Sequence, residues 1–357
     1  MENTYISTEN LDVGYGKEVL IRQICLHVKR GEIVTLIGPN GAGKSTILKT
    51  AARLIAPLGG TVYLDGTPVD QMAAKERARR LAVLMTEHAR PELMTCRDVA
   101  AAGRYPYTGR LGILSGADWE KVEEALEMVQ GRELAERDFN EISDGQKQRI
   151  LLARAICQEP QAIILDEPTS FLDVRHKLEL VTVLKRLVKK KNIAVLMSLH
   201  ELDLAQKISD YIVCVGKDGI MACGAPEEIF TSSYIKELYG ITRGTYCAEL
   251  GCLEMERVTG APQVFVIGGN GTGIPVYRRL QREGIPFAAG VLHENDVDYP
   301  VAKALAVKVI SERPFEPIGD RAYKEAADVL KTCSRVICCV KEFGTMNERN
   351  RELARLG

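Results

Sequence analysis

A lysine, a serine and a threonine stand together at the end of a glycine-rich run, Gly38-Pro39-Asn40-Gly41-Ala42-Gly43-Lys44-Ser45-Thr46. The spacing is G-x-x-x-x-G-K-[S/T], set between an apolar run and a helical stretch. Glycines let successive N–H groups turn inward on a phosphate chain, and the helix start adds its positive dipole end. Lys44 offers a point charge to β- and γ-phosphates, and the Ser45 hydroxyl a ligand to Mg²⁺. A second group lies at Leu165-Asp166-Glu167-Pro168, where the apolar run Ala162-Ile163-Ile164 ends. There Asp166 can orient Mg²⁺ through its water shell, and Glu167 can polarise a water for in-line attack on a γ-phosphate. His200, after another apolar run, reads by itself as an ordinary structural histidine.

These residues need elements to hold them. Ile33–Ile37 reads as a buried parallel strand and Thr46–Leu54 as the helix after the loop. Alternating apolar positions over residues 5–30 predict antiparallel strands, with Tyr15 in a turn between two of them. Short strands are expected at 61–70 and 81–84, and a helical region from Thr95 to Gln130. Ile142-Ser143-Asp144-Gly145-Gln146 opens an amphipathic helix running to Cys157. Ser170-Phe171-Leu172-Asp173 precedes a helix over 178–187, and Ile193–Met197 forms another buried strand.

A chain of 357 residues has room for two domains. Its net charge of −1 gives no electrostatic case for nucleic acid. The N-terminus lacks the apolar core of a secretory signal, and no run approaches the ~20 apolar residues of a membrane span. Ten cysteines contain no C-x-x-C. Cys157, Cys214, Cys338 and Cys339 read as small core hydrophobes in a reducing cytosol. A fold-back of Cys247 and Cys252 on Cys333 is the one arrangement that would bind metal.

Taken in order, the motifs resemble the nucleotide-binding subunit of ABC transporters, over residues 4–245. The resemblance implies a P-loop α/β domain with a parallel core sheet, an antiparallel β subdomain and a helical subdomain. It implies that Tyr15 stacks on adenine, and that Ser143, Gly145 and Gln146 meet ATP held by a second copy of the subunit. It also implies that Asp173 lines the dimer interface and that His200 steadies the γ-phosphate and the attacking water. The stretch Ala102-Gly103-Arg104-Tyr105-Pro106 is similar to ATPases of importers for ferric siderophores, haem and cobalamin. Two positions depart from the pattern. The signature reads ISDGQ, so Asp144 brings a carboxylate near the triphosphate; pointing away, it leaves the Gly145 N–H free. The glutamine that senses Mg²⁺ falls on Thr86, with Glu87 beside it as the alternative.

After a linker at 246–262, residues 263–357 start a fresh βα series. Strands are expected at 264–267, 287–292, 307–310 and 335–340, the last followed by a helix that Thr345 and Glu348 open as a capping box. Four such units imply a small, parallel, Rossmann-like α/β domain. Its loop Gly268–Gly273 precedes a helix with Pro275 in the first turn, which favours an anionic ligand group. That loop would meet His293–Asp296 and Glu342–Asn347 at the sheet's carboxyl edge, where such folds bind ligands. The expected function is thus an ATP- and Mg²⁺-dependent importer ATPase at the cytoplasmic face of the membrane. Its partners would be membrane permease subunits and, indirectly, a substrate-binding protein, and its C-terminal domain would bind a regulatory ligand. An ABC ATPase acting on ribosomes or DNA is the alternative, weakened by the single phosphate loop and the lack of sustained heptads.

Overall fold

The computed structural model describes residues 3–85, 91–170 and 172–357. These form two compact units, Met1–Ile229 and Phe230–Gly357.

The N-terminal unit opens with antiparallel strands β1 (Thr4–Tyr15), β2 (Glu18–Ile24) and β3 (His27–Lys29), as the alternation predicts. Strand β4 (Ile33–Ile37), wholly buried, leads through the glycine loop into α1 (Lys44–Ala51). β5 (Gly59–Leu64) and β6 (Thr67–Pro68) complete the antiparallel sheet, in the order β2-β1-β5-β6 with β3 on β1. Then follow α2 (Ala74–Arg80), β7 (Leu81–Leu84), α3 (Cys96–Ala101), α4 (Gly116–Met128) and α5 (Asp144–Cys157). The chain continues through β8 (Ala162–Asp166), α6 (Val174–Lys191), β9 (Ala194–Ser198) and α7 (Leu202–Ile208). It ends in β10 (Tyr211–Gly216), β11 (Gly219–Gly224) and α8 (Pro226–Ile229). The core sheet has the order β11-β10-β4-β9-β8-β7, parallel except for β11. Helix α6 extends further at both ends than its apolar periodicity suggests, because the Asp173 side chain caps its start and Asn192, with φ 54°, ends it.

Helices α3 to α5 form the helical subdomain, and the Gly103-Arg104 stretch holds it together. A Cβ on Gly103 would stand 2.1 Å from the Arg154 carbonyl oxygen, so only glycine lets the chain approach α5 there. The buried Arg104 donates to Asp118 (2.9 Å), Glu159 (2.8 Å) and the Cys157 carbonyl (2.7 Å), and lies over the Tyr107 ring. Asp118 in turn completes a capping box with Ser115 at the start of α4, beside Trp119. Arg104→Ala leaves Asp118 with its Ser115 hydrogen bonds alone and the Cys157 carbonyl without its buried donor, a loss of about 2 kcal/mol. Urea unfolding should show that loss; a change below about 1 kcal/mol would mean that the cluster does not hold the subdomain.

The C-terminal unit begins earlier than the expected boundary at 245. It contains α9 (Ser232–Leu238) and the hairpin β12 (Thr245–Cys247) and β13 (Cys252–Glu254). An ion pair from the buried Glu254 to the partly exposed Arg278 ties the hairpin to the following α/β series. That series is β14 (Val264–Ile267), α10 (Ile274–Arg282), β15 (Phe287–His293), α11 (Asp298–Leu305), β16 (Lys308–Glu312), α12 (Asp320–Thr332), β17 (Arg335–Cys338) and α13 (Glu348–Leu356). The sheet is parallel in the order β16-β15-β14-β17, with apolar clusters on both faces. Two local expectations fail. Cys338 is exposed, because β17 is an edge strand rather than a core one. No capping box forms at Thr345: α13 starts at Glu348, and Asn347 Oδ1 accepts from the Gly344 N–H instead. Cys247 and Cys252 face each other across the hairpin, and the described residues hold no group of three or more metal-ligating side chains.

Candidate functional site

Strands β8, β9 and β4 lie side by side, with Asp166 opposite Ser198 and Ser198 opposite Leu36. Their carboxyl ends therefore deliver Gly38, Ser198, His200, Asp166 and Glu167 to one edge of the sheet. Gly38, with φ 145°, admits no side chain: a Cβ would stand 2.0 Å from the Val215 carbonyl oxygen. Gly43, in the left-handed region at φ 96°, turns the chain into α1 without a side-chain cap. The N–H groups of Lys44, Ser45 and Thr46 then have no intrahelical acceptor and make the start of α1 an anion receptor.

Lys44 is only 4% exposed, and its Nζ donates to the carbonyls of Gly38 (2.7 Å) and Pro39 (2.9 Å). Burial pulls its pKa down, while Glu167 and Asp166 push it back up. The Ser45 hydroxyl donates to Asp166 Oδ1 at 3.0 Å, a pair of hard oxygens that suits Mg²⁺. Glu167, at φ 48°, occupies a conformation rare for a residue with a Cβ, of the kind that collects at functional sites. Its Oε1 lies 2.5 Å from His200 Nε2, and its Oε2 accepts from Ser170 Oγ at 3.2 Å. Tyr15 presents a ring that is 57% exposed, with its hydroxyl 3.4 Å from Thr46 Oγ1. Thr86 and Glu87 lie outside the described residues.

Ser143, Gly145, Gln146 and Asp173 gather elsewhere. Ser143 and Gln146 form a capping box at the start of α5. Gly145 packs under His176, whose N–H donates to Asp173 Oδ1 at 2.9 Å. Asp144 faces solvent, with Lys147 Nζ at 3.7 Å. Among the described residues, none of these four makes a hydrogen bond or ion pair to residues 38–46.

Residues that the sequence did not single out complete the first group. Ser198, fully buried, donates to Asp166 Oδ1 (2.7 Å) and accepts from the Glu167 N–H (2.9 Å), so it fixes the Asp166 carboxylate and the Glu167 backbone. Gln148 of α5 donates to the Pro168 carbonyl at 3.1 Å. Glu201 accepts from Thr169 (2.8 Å) and Lys177 (2.5 Å) and pins the turn after β8. Nothing local in the sequence marks Ser198; its place follows from the pairing of β9 with β8.

The glycine loop of the C-terminal unit is different, and the expected ligand anion is supplied by the chain itself. Gly269 and Gly273 N–H donate to Asp298 Oδ2 at 2.6 and 2.8 Å, and Ile274 N–H to Oδ1 at 3.2 Å. Asn270 N–H is shared by both Asp296 oxygens, at 3.0 and 2.9 Å. Asp298 is fully buried; burial raises its pKa, and the Gly273 and Gly269 N–H groups oppose that shift.

A model of the ABC transporter family matches residues 21–170, and one of the MJ0874 family matches residues 287–356. An uncharacterised ABC transporter ATP-binding protein of Methanocaldococcus jannaschii is 41% identical, over 80% of this chain and 99% of its own length. The iron(3+)-hydroxamate import ATP-binding protein of Bacillus subtilis is 36% identical, over 66% of this chain and 88% of its own. The cobalamin import ATP-binding protein of Halobacterium salinarum is 32% identical, over 91% of this chain and 85% of its own. Among solved structures, a bacterial ABC transporter cassette in dimeric form gives a TM-score of 0.56 at 25% identity, covering 62% of this chain and 98% of that one.

Proposed function

As this chain belongs to the ATP-binding subunits of ABC transporters and is an ATPase, we propose that it powers import of a metal complex through separate membrane permease subunits. The observation that carries the reading is the cluster at the ends of β8 and β9, with Glu167 between His200 and Ser170 and its charge felt by Lys44. Glu167 takes a proton from the attacking water as its oxygen bonds to the γ-phosphorus and the bond to the β-phosphate oxygen breaks. His200 orients Glu167 and that water. Lys44 and the α1 N–H groups hold the triphosphate, and Tyr15 stacks on the adenine. Ser45 and Asp166 would hold Mg²⁺, which would supply charge neutralisation on the phosphate oxygens.

Ser143, Gly145, Gln146 and Asp173 act on the nucleotide of a second copy, which accounts for their separation from residues 38–46 within one chain. Asp144, exposed beside Lys147, leaves the signature's N–H donors usable. Mg²⁺ sensing falls to Thr86, with Glu87 the alternative. Thr86→Ala is then expected to weaken the Mg²⁺ dependence of hydrolysis while Glu87→Ala does little; the reverse pattern transfers the role to Glu87.

No described helix is long and apolar enough to cross a membrane; the likeness to importer ATP-binding proteins is what supports a place on the cytoplasmic face, against the permease. An apolar groove of about 300 Å³, lined by Val83, Met85, Met94, Val99 and Phe139, supports that docking. Arg154 also lines it; burial lowers its pKa, and among the described residues it has no ion-pair partner. A carboxylate on the permease would complete it.

The cargo is of the siderophore or cobalamin class. Cobalamin is favoured because the match to the cobalamin importer subunit spans 91% of this chain and so extends into the C-terminal unit. In vesicles carrying the chain with its permease, ATP should drive uptake of cobalamin and not of ferric hydroxamate. Hydroxamate uptake alone would reverse the choice of cargo, and no ATP-driven uptake across cobalamin, haem and a panel of ferric siderophores would remove the importer reading.

A further inference from the structure

At the carboxyl edge of the C-terminal sheet lies an open cavity of about 440 Å³, lined by Asn270, His293, Asn295, Asp296, Phe315 and Met346, with Val297. Its size suits a small molecule. Loops after three successive strands converge on it, and Met346 approaches from the segment before α13. Phe315 is 81% exposed and held at φ 63°, so an aromatic face stands at the rim with nothing packed on it. No lysine or arginine lines the cavity, and Asp296 is its one carboxylate. His293 Nε2 is engaged with the Glu316 carbonyl at 2.9 Å.

Behind the cavity, the position where such a loop ordinarily holds a pyrophosphate is filled by Asp298. The Tyr277 hydroxyl, fully buried and without a hydrogen-bond partner among the described residues, is aimed at the same spot. It would lie 2.4 Å from a Cβ on Gly273 and 2.3 Å from one on Gly268. The glycines at 268 and 273 are thus explained by packing against Tyr277 and Asp298, not by the approach of a ligand. A phosphate brought to the glycine loop would meet the Asp296 and Asp298 carboxylates.

We propose that this cavity is a ligand site for a small, cationic, ring-bearing molecule, and that it rejects phosphate ligands because Asp298 already fills the glycine loop. The ring would lie on Phe315, and the positive charge would face Asp296. Such a site is distinct from the ATPase site and does not depend on the cargo assigned above.

The test uses the full chain carrying Lys44→Ala, so that the N-terminal glycine loop does not contribute. Benzamidine and benzoate, rings of equal size and opposite charge, are titrated by calorimetry beside NAD. Benzamidine should bind about tenfold or more tightly than benzoate, and NAD should give no binding heat. Phe315→Ala and Asp296→Asn should each weaken benzamidine several-fold. The asparagine keeps an acceptor for the Asn270 N–H, so the loop is retained. Binding of NAD, equal binding of the two rings, or no binding of benzamidine at millimolar concentration would overturn the proposal.

Discussion

Glu167→Gln is expected to slow ATP turnover by ~10²–10⁴-fold, the usual cost of losing a general base, while leaving ATP affinity near normal. At 1.36 kcal/mol per tenfold, that is about 2.7–5.5 kcal/mol of transition-state stabilisation. Glutamine preserves the size of the side chain and an acceptor for the Ser170 hydroxyl, now 3.2 Å from Oε2. It cannot take the proton of the attacking water. Because nucleotide is held by other groups, the variant should accumulate as an ATP-bound dimer on a sizing column. Hydrolysis within a few-fold of the unsubstituted protein would assign proton transfer to another group and leave Glu167 a positioning role.

Lys44→Ala should fail at the earlier step. The ammonium is nearly buried and spans the Gly38 and Pro39 carbonyls, so its charge is fixed at the loop before any triphosphate arrives. Losing a charge-assisted contact of about 3 kcal/mol weakens ATP roughly hundredfold. The same substitution removes a cation whose burial is unfavourable, as the downward pressure on its pKa shows. The nucleotide-free protein should therefore melt no lower than the unsubstituted one, while the stabilisation by added ATP disappears. Calorimetric ATP affinity within threefold of normal would detach Lys44 from nucleotide binding.

Much of this arrangement is legible in the residues. The period-2 alternation of the first strands, the apolar runs of β4, β8 and β9 and the spacing around Lys44 each carry local instructions, and the structure follows them. Ser198 was not legible, since its importance comes from strand order: only when β9 lies between β4 and β8 does an ordinary serine tie the Asp166 carboxylate to the Glu167 backbone. The same limit explains the second glycine loop. Its composition favours an anion, and nothing local reveals that Asp298, more than twenty residues away, is folded back to be that anion. Cys338 was misread for a related reason: an apolar strand at the edge of a sheet has the same composition as one at its centre.

Trp119 is the single tryptophan of the chain, and it sits on α4, next in sequence to the Asp118 that Arg104 holds, 38% exposed. Indole emission is therefore a reporter with one address. Excitation at the red edge of the absorption band, where tyrosines are silent, watches the helical subdomain alone. Melting curves followed by that signal would register the loosening of this subdomain and remain blind to the C-terminal unit. A second, engineered fluorophore would be needed to follow the C-terminal unit.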